Sequence, residues 1–138
     1  MRAVLDTNVL ISAVLSTGVP HDVLVRGFRG EYQLVVSVET LAEFRTTLLK
    51  YPDRFHMDED EVQTEVETIR YFAEFVEPTE SIQAIERDPD DDKFLEAAVA
   101  GDVSYLVSGD SHLLDLDSFR GIDIVDPRTF YERLSTAK

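Results

Sequence analysis

Apolar residues fall along this chain in two rhythms. Short unbroken runs occupy residues 2–5, Gln33 to Ser37, Ser104 to Ser108 and Asp123 to Val125, each too short for a helix and bounded by polar residues. Runs of this kind predict strands buried on both faces, as in a parallel sheet. Between them, apolar positions recur at helical spacing. Asn8 to Leu15 is apolar, helix-length and closed by Gly18. Pro20 opens a second short helix with Val23, Leu24 and Phe28 on one side. Ser37 is placed to cap a third, in which Leu41, Phe44, Leu48 and Leu49 repeat every three or four residues before Pro52 ends it. Residues 58–75 are acidic but carry one apolar stripe, Val62, Val66, Ile69 and Phe72–Ala73. Phe75 and Val76 begin a short strand before Pro78. A polar loop over 79–90, with room for one turn, leads to a helix from Asp91 to Ala100 stopped by Gly101. Pro127 starts a C-terminal helix. Strand and helix alternate throughout, without repeats or low-complexity segments. The expected class is α/β, a three-layer sandwich around a parallel sheet of four or five strands, with 1–138 as a single domain.

The bulk numbers narrow this further. The chain has 138 residues, 43% of them hydrophobic, enough for one cored domain. It contains no cysteine, which excludes disulfides and thiolate metal sites. No apolar run approaches the roughly 20 residues of a membrane span, and Asp6 interrupts the first run too early for a signal peptide. A soluble cytoplasmic protein, with no membrane partner, is the expectation. The net charge is −15, from 28 acidic against 13 basic residues, of which only Lys50, Lys93 and Lys138 are lysines. That balance suits a salt-rich cytoplasm, where screening weakens self-repulsion. Taken alone it argues against nucleic acid, since phosphate binding normally uses basic surface.

The acids are not scattered. Asp6 follows the first strand, flanked by Thr7 and Asn8; Asp110 follows the third, after Ser108 and Gly109. In an open α/β sheet the residues just beyond the strand C-termini line the site. Glu43 sits between Leu41 and Phe44 on an apolar helix face, where a lone charge is costly unless paired or metal-bound. Asp90, Asp91 and Asp92 open a helix. Asp91 precedes Phe94, Leu95 and Ala98 by three, four and seven residues and so shares their inward face. Asp92 is nearer the margin and is the adjacent candidate. Each residue alone has a plainer role: Asp6 as a helix cap, Asp90–Asp92 as acids favoured at a helix N-terminus, Gly109-Asp110 as a turn. Together they form a carboxylate cluster, which repels itself unless a cation sits within it. Hard oxygen ligands suit Mg²⁺ or Mn²⁺. His21, His56 and His112 lack zinc-site spacing, and His112 reads as a surface residue. There is no phosphate-binding Gly-rich loop and no Gly-x-Ser-x-Gly elbow.

The ordered set Leu5-Asp6-Thr7-Asn8-Val9-Leu10, Glu43, Asp88-Pro89-Asp90-Asp91-Asp92-Lys93-Phe94-Leu95 and Ser108-Gly109-Asp110 resembles the PIN domain, and within it the small single-domain toxins of toxin–antitoxin pairs. The likeness covers nearly the whole chain. It implies a Mg²⁺- or Mn²⁺-dependent endoribonuclease acting on RNA, often a homodimer, restrained by a protein antitoxin. Carried over by position, it implies Asp6, Glu43, Asp91 and Asp110 as the catalytic acids and metal ligands. Asp92 is the alternative third ligand, and Thr7, Asn8 and Ser108 are polar helpers. Arg26, Arg29, Arg45 and Arg54 are candidates for guiding the RNA strand. Val9, Leu10, Val14, Leu15, Val23, Leu24 and Phe28 offer either core packing or a groove for an antitoxin helix or strand.

Two other readings compete. A haloacid-dehalogenase-type phosphohydrolase would use Asp6 as nucleophile, but it expects an acid two residues later, where Asn8 stands, and leaves Glu43 unused. A non-catalytic regulatory binding module would not need all four acidic positions filled.

Overall fold

The computed structural model describes residues 1–50, 55–85 and 89–136. Pro52, expected to end the third helix, and Asp88 and Arg54 lie outside the described residues. The elements run β1 (Arg2–Leu5), α1 (Thr7–Leu15), α2 (Val19–Phe28), β2 (Gln33–Val36), α3 (Val38–Lys50), α4 (Glu59–Phe72) and β3 (Glu74–Phe75). A 3₁₀ turn, Pro89–Asp91, then opens α5 (Asp92–Ala100), followed by β4 (Tyr105–Val107), α6 (Ser111–Leu114), β5 (Ser118–Phe119), β6 (Ile122–Val125) and α7 (Pro127–Thr136). The strands form a six-stranded sheet in the order β3-β2-β1-β4-β6-β5, parallel except for the β5·β6 hairpin.

The sheet has one strand more than the four or five expected. The additional one, β5, is two residues long and polar at Ser118, so it carries no apolar run to announce it. It pairs Phe119 with Ile122 across Arg120-Gly121, whose φ values of 51° and 83° are those of a two-residue hairpin turn. The helices begin and end within a few residues of their sequence signals. The exception is α6, a single turn that sequence periodicity is too short to reveal.

Why the strand runs are unbroken becomes clear from the two cores. Along β1, Ala3 and Leu5 face one side and Val4 the other; along β2, Leu34 and Val36 oppose Val35. In β4, Tyr105 and Val107 oppose Leu106. The first core lies beneath α1, α2, α3, α4 and α7 and includes Phe44, Leu48, Ile69 and Phe130. The second lies beneath α5 and the 82–85 segment and includes Phe94, Leu95, Ala98 and Leu113. Helices thus cover both faces, the three layers expected, and each strand must be apolar on alternate sides at once. Close packing at the second core depends on Gly101, the cap of α5, where a Cβ would come within 2.7 Å of Val35.

The parallel strands all end at one edge, and after β1, β2 and β6 the chain turns there into a helix capped by the residue after the strand. Asp6 caps α1 by accepting from the Val9 N–H at 2.9 Å. The Ser37 hydroxyl accepts from the Thr40 N–H at 3.1 Å while Thr40 Oγ1 accepts from the Ser37 N–H at 3.0 Å. Asp126 accepts from the Thr129 N–H at 2.7 Å and caps α7. A polar residue is therefore required at each of these strand ends by the unsatisfied N–H groups of the helix behind it.

Of the seven apolar residues weighed as a groove near the N-terminus, Val9, Leu10, Val23 and Leu24 are core. Val14 and Phe28 are partly buried against it, and Leu15 is exposed. The larger exposed apolar side chains lie elsewhere, at Val38, Tyr71, Phe72 and Phe75. No single helix among the described residues is long and apolar enough to cross a membrane.

Candidate active site

Asp6 sits where β1 ends, its own N–H still donating to the Val107 carbonyl at 3.0 Å as an extension of the β1·β4 ladder. That register leaves its carboxylate 3% exposed. One oxygen accepts from the Val9 N–H and the other from the Ser108 hydroxyl. Ser108 is itself fully buried, and its oxygen accepts from the Asp110 N–H at 2.9 Å. Asp6, Ser108 and the Asp110 backbone therefore form one chain of hydrogen bonds across β1 and β4. Asp110 caps the short α6, accepting from the His112 N–H at 2.8 Å.

Burial pushes the Asp6 carboxyl up from 3.8 to about 6. The bonds from Ser108 and Val9 pull the other way, and the charges of Asp110 and Glu43 raise it further. Asp110 and Glu43 are thus both within electrostatic reach of Asp6, although they come from a loop and a helix far apart in sequence.

Glu43 approaches from α3. Its Oε1 accepts from the Thr7 hydroxyl at 2.7 Å, and its Oε2 pairs with the Lys93 ammonium. Thr7, the first residue of α1, is 5% exposed, so the bond tethers Glu43 to the residue beside Asp6. Asp91 lies at the N-terminus of α5. A carboxylate oxygen of Asp91, one of Asp110 and a ring nitrogen of His112 all lie within 4.8 Å of one another. Asn8 is exposed and points to a cavity of about 640 Å³ bounded by Ile11, Leu15, Thr47 and Phe55.

Asp91 and Asp92 part company in the structure. Asp92 is the buried member of the pair, at 7% exposure, where helical geometry had placed it nearer the margin. Its Oδ1 accepts from the N–H groups of Ala84 and Ile85 at 3.0 and 2.9 Å. It is buried because it holds the 82–85 segment against the helix, a task shared by Glu96, which accepts from the Ile82 N–H at 2.9 Å. Spacing within α5 cannot reveal a loop that packs on it from elsewhere.

Two residues beside these acids had a weak signal in the sequence, His112 as the only histidine near them and Lys93. His112 does not stand apart on the surface; its Nδ1 is 3.7 Å from Asp110 Oδ1 and it joins the Asp91–Asp110 cluster. Its position two residues after a capping Asp was the available signal. Lys93 had only its place after the acidic run to mark it. The arginines divide differently. Arg26 pairs with Glu31 at 3.2 Å and stacks over Tyr131, near the start of β2 at the opposite edge of the sheet, and Arg29 ends the same helix. Arg45 donates to Gln63 of α4 at 3.4 Å.

The donor set of the Asp91–Asp110–His112 group is carboxylate oxygen with one imidazole, partly exposed at the sheet edge where Asp6 is buried. Hard carboxylate oxygens of this kind suit a small divalent cation.

Comparison with known proteins identifies the family and the fold. A family model described as PIN domain matches residues 2–112, a span that holds Asp6, Glu43, Asp91 and Asp110. No curated protein matches the chain. Among solved structures, VapBC2 from Rickettsia felis, crystallised with a DNA fragment from its promoter, is similar with a TM-score of 0.62. Identity is 13%, over 90% of this chain and 97% of that one, so the likeness is one of fold.

Proposed function

The chain belongs to the PIN domain family, and from that premise we propose that it is an endoribonuclease that works with Mg²⁺ or Mn²⁺, restrained by a protein antitoxin. The observation that carries the reading is the buried Asp6 carboxylate, tied through the Ser108 hydroxyl to the Asp110 backbone; its ionisation is opposed chiefly by burial and further by the charges of Asp110 and Glu43. Acids so placed, with Asp91 and His112 grouped beside Asp110, repel one another, and a divalent cation held among them would relieve that repulsion more fully than the single Lys93 ammonium on Glu43.

On this reading Asp6, Glu43, Asp91 and Asp110 hold the ion, and Ser108 and Thr7 orient them. The Ser108 hydroxyl donates a hydrogen bond to Asp6 and accepts one from the Asp110 N–H, which fixes Asp6 relative to the Asp110 backbone. Thr7 fixes one oxygen of Glu43 and leaves the other turned toward Lys93. A bound divalent ion supplies an activated water and stabilises the leaving oxygen of a phosphodiester. Asn8 sits at the mouth of the adjacent cavity, placed to meet the RNA strand. Held by Asp6, Glu43, Asp91 and Asp110, a divalent ion would offset part of the local charge that a phosphate meets on a chain of net charge −15. A phosphomonoesterase mechanism built on Asp6 as nucleophile gives Glu43 no task, so it ranks behind.

The likeness in fold to VapBC2 supports the antitoxin partner. Self-association into a homodimer fits the exposed apolar side chains of Val38 and Tyr71, 65% and 82% accessible. The deciding experiment combines Mn²⁺ calorimetry with cleavage of a single-stranded RNA by protein freed of any antitoxin. Binding of Mn²⁺, and cleavage that stops with EDTA, is the expected result. Robust phosphomonoester hydrolysis without RNA cleavage, or no Mn²⁺ binding, overturns the reading.

A further inference from the structure

Resting on the metal-dependent reading above, we propose that Lys93 is a resident counter-ion of the acidic site. Its ammonium holds Glu43 while no divalent cation is bound, and yields that carboxylate when one binds. Lys93 is thereby a positioning residue for a metal ligand.

The first turn of α5 provides the geometry. Asp91, Asp92 and Lys93 are consecutive, and successive helical residues diverge by about 100°. They reach three different neighbours: Asp91 the Asp110–His112 group, Asp92 the 84–85 backbone, Lys93 the Glu43 carboxylate on α3. The two backbone N–H groups on buried Asp92 lock the turn, so the root of Lys93 is fixed while its flexible stem is free to swing. The Lys93 and Glu43 side chains are 25% and 29% exposed. A partly exposed ion pair of this kind is a weak one, because water screens it and two flexible side chains must be held in place. It is strong enough to orient Glu43 and weak enough to be displaced by a doubly charged ion. An ammonium is also a compact point charge with three freely turning donors, which can leave one carboxylate for water or a phosphate without breaking a planar, two-pronged contact.

The plainer alternative makes Lys93 a strut between α3 and α5, indifferent to metal. The two accounts separate in the metal affinity of the RNA-free protein. Mn²⁺ binding is measured by calorimetry for wild type, Lys93→Met, Lys93→Arg, Glu43→Gln and the Lys93→Met/Glu43→Gln double variant. Melting in EDTA is followed in parallel. Lys93→Met is expected to bind Mn²⁺ about two- to fivefold tighter, the range that loss of a weak, partly exposed competing pair allows, while melting lower in EDTA. Lys93→Arg keeps the charge and is expected to stay near wild type. In the Glu43→Gln background, Lys93→Met is expected to add no further tightening, because the carboxylate that Lys93 competes for is gone. Unchanged or weaker Mn²⁺ affinity in Lys93→Met, with wild type still binding, overturns the Lys93 role alone. Equal tightening in the Glu43→Gln background reduces it to long-range charge and also overturns it. Absence of Mn²⁺ binding in wild type removes the metal-dependent reading itself.

Discussion

Asp6→Asn should make the metal-free protein more stable while removing its metal chemistry. The folded Asp6 carboxyl titrates at about 6, against 3.8 for the free group, chiefly because burial disfavours its charge. Between those values the folded protein holds a proton that the unfolded chain has released. Stability therefore falls as pH rises through that window, and levels off above about 6, where both states are ionised. A shift of about two units corresponds to roughly 3 kcal/mol at pH 8, an upper figure because the structure relaxes around the charge. Asparagine keeps the shape and the acceptor for the Val9 N–H. Its amide can donate to Ser108, whose hydroxyl rotates to suit, so the hydrogen-bond chain to Asp110 survives. The expected gain is about 1–3 kcal/mol at pH 8, a rise in melting temperature on the order of 3–10 °C for a domain of this size. Near pH 4, where the folded Asp6 is already protonated, most of the gain should disappear. Thermal unfolding in EDTA at pH 8 and pH 4 tests this directly, and Mn²⁺-dependent RNA cleavage by the same variant should be lost. A variant destabilised at pH 8, or stabilised equally at both pH values, would refute the claim that a strained, buried carboxylate sits at this strand end.

Other expectations follow from the same geometry. Millimolar Mn²⁺ or Mg²⁺ should raise the wild-type melting temperature by ligand linkage, and a melt unaffected by excess metal counts against a preformed site. Ser108→Ala removes the hydroxyl that favours ionised Asp6 and accepts from the Asp110 N–H, so Mn²⁺ affinity should fall and stability should drop by about 1–2 kcal/mol. Calorimetric affinity equal to wild type would show that Ser108 does not tune the site. Asp92→Ala strands the Ala84 and Ile85 N–H groups and should cost roughly 2–3 kcal/mol in urea unfolding. It should also weaken Mn²⁺ binding far less than Asp91→Asn; the reverse order would make Asp92 the inner ligand.

The sequence by itself determined the class of this fold and the strand ends at which its acids stand. Unbroken runs such as Ala3-Val4-Leu5 declare strands buried on both faces, because no other surroundings tolerate apolar side chains on both sides of a strand. Ser37, Pro20, Gly101 and Pro127 mark helix ends through local backbone chemistry, which acts over a few residues and is therefore visible in them. Asp6 was legible for the same reason, as the polar residue a helix requires just past a buried strand. The assembly of the site was decided only by tertiary structure. Ser108 donates to Asp6 across 102 positions of sequence, and Lys93 reaches Glu43 across 50. The burial of Asp92 rather than Asp91 depends on the 82–85 segment folding back over α5, and His112 joins the acids because a one-turn helix places it there. Such contacts follow from strand order and the packing of separate elements, and the spacing within any one element does not contain them.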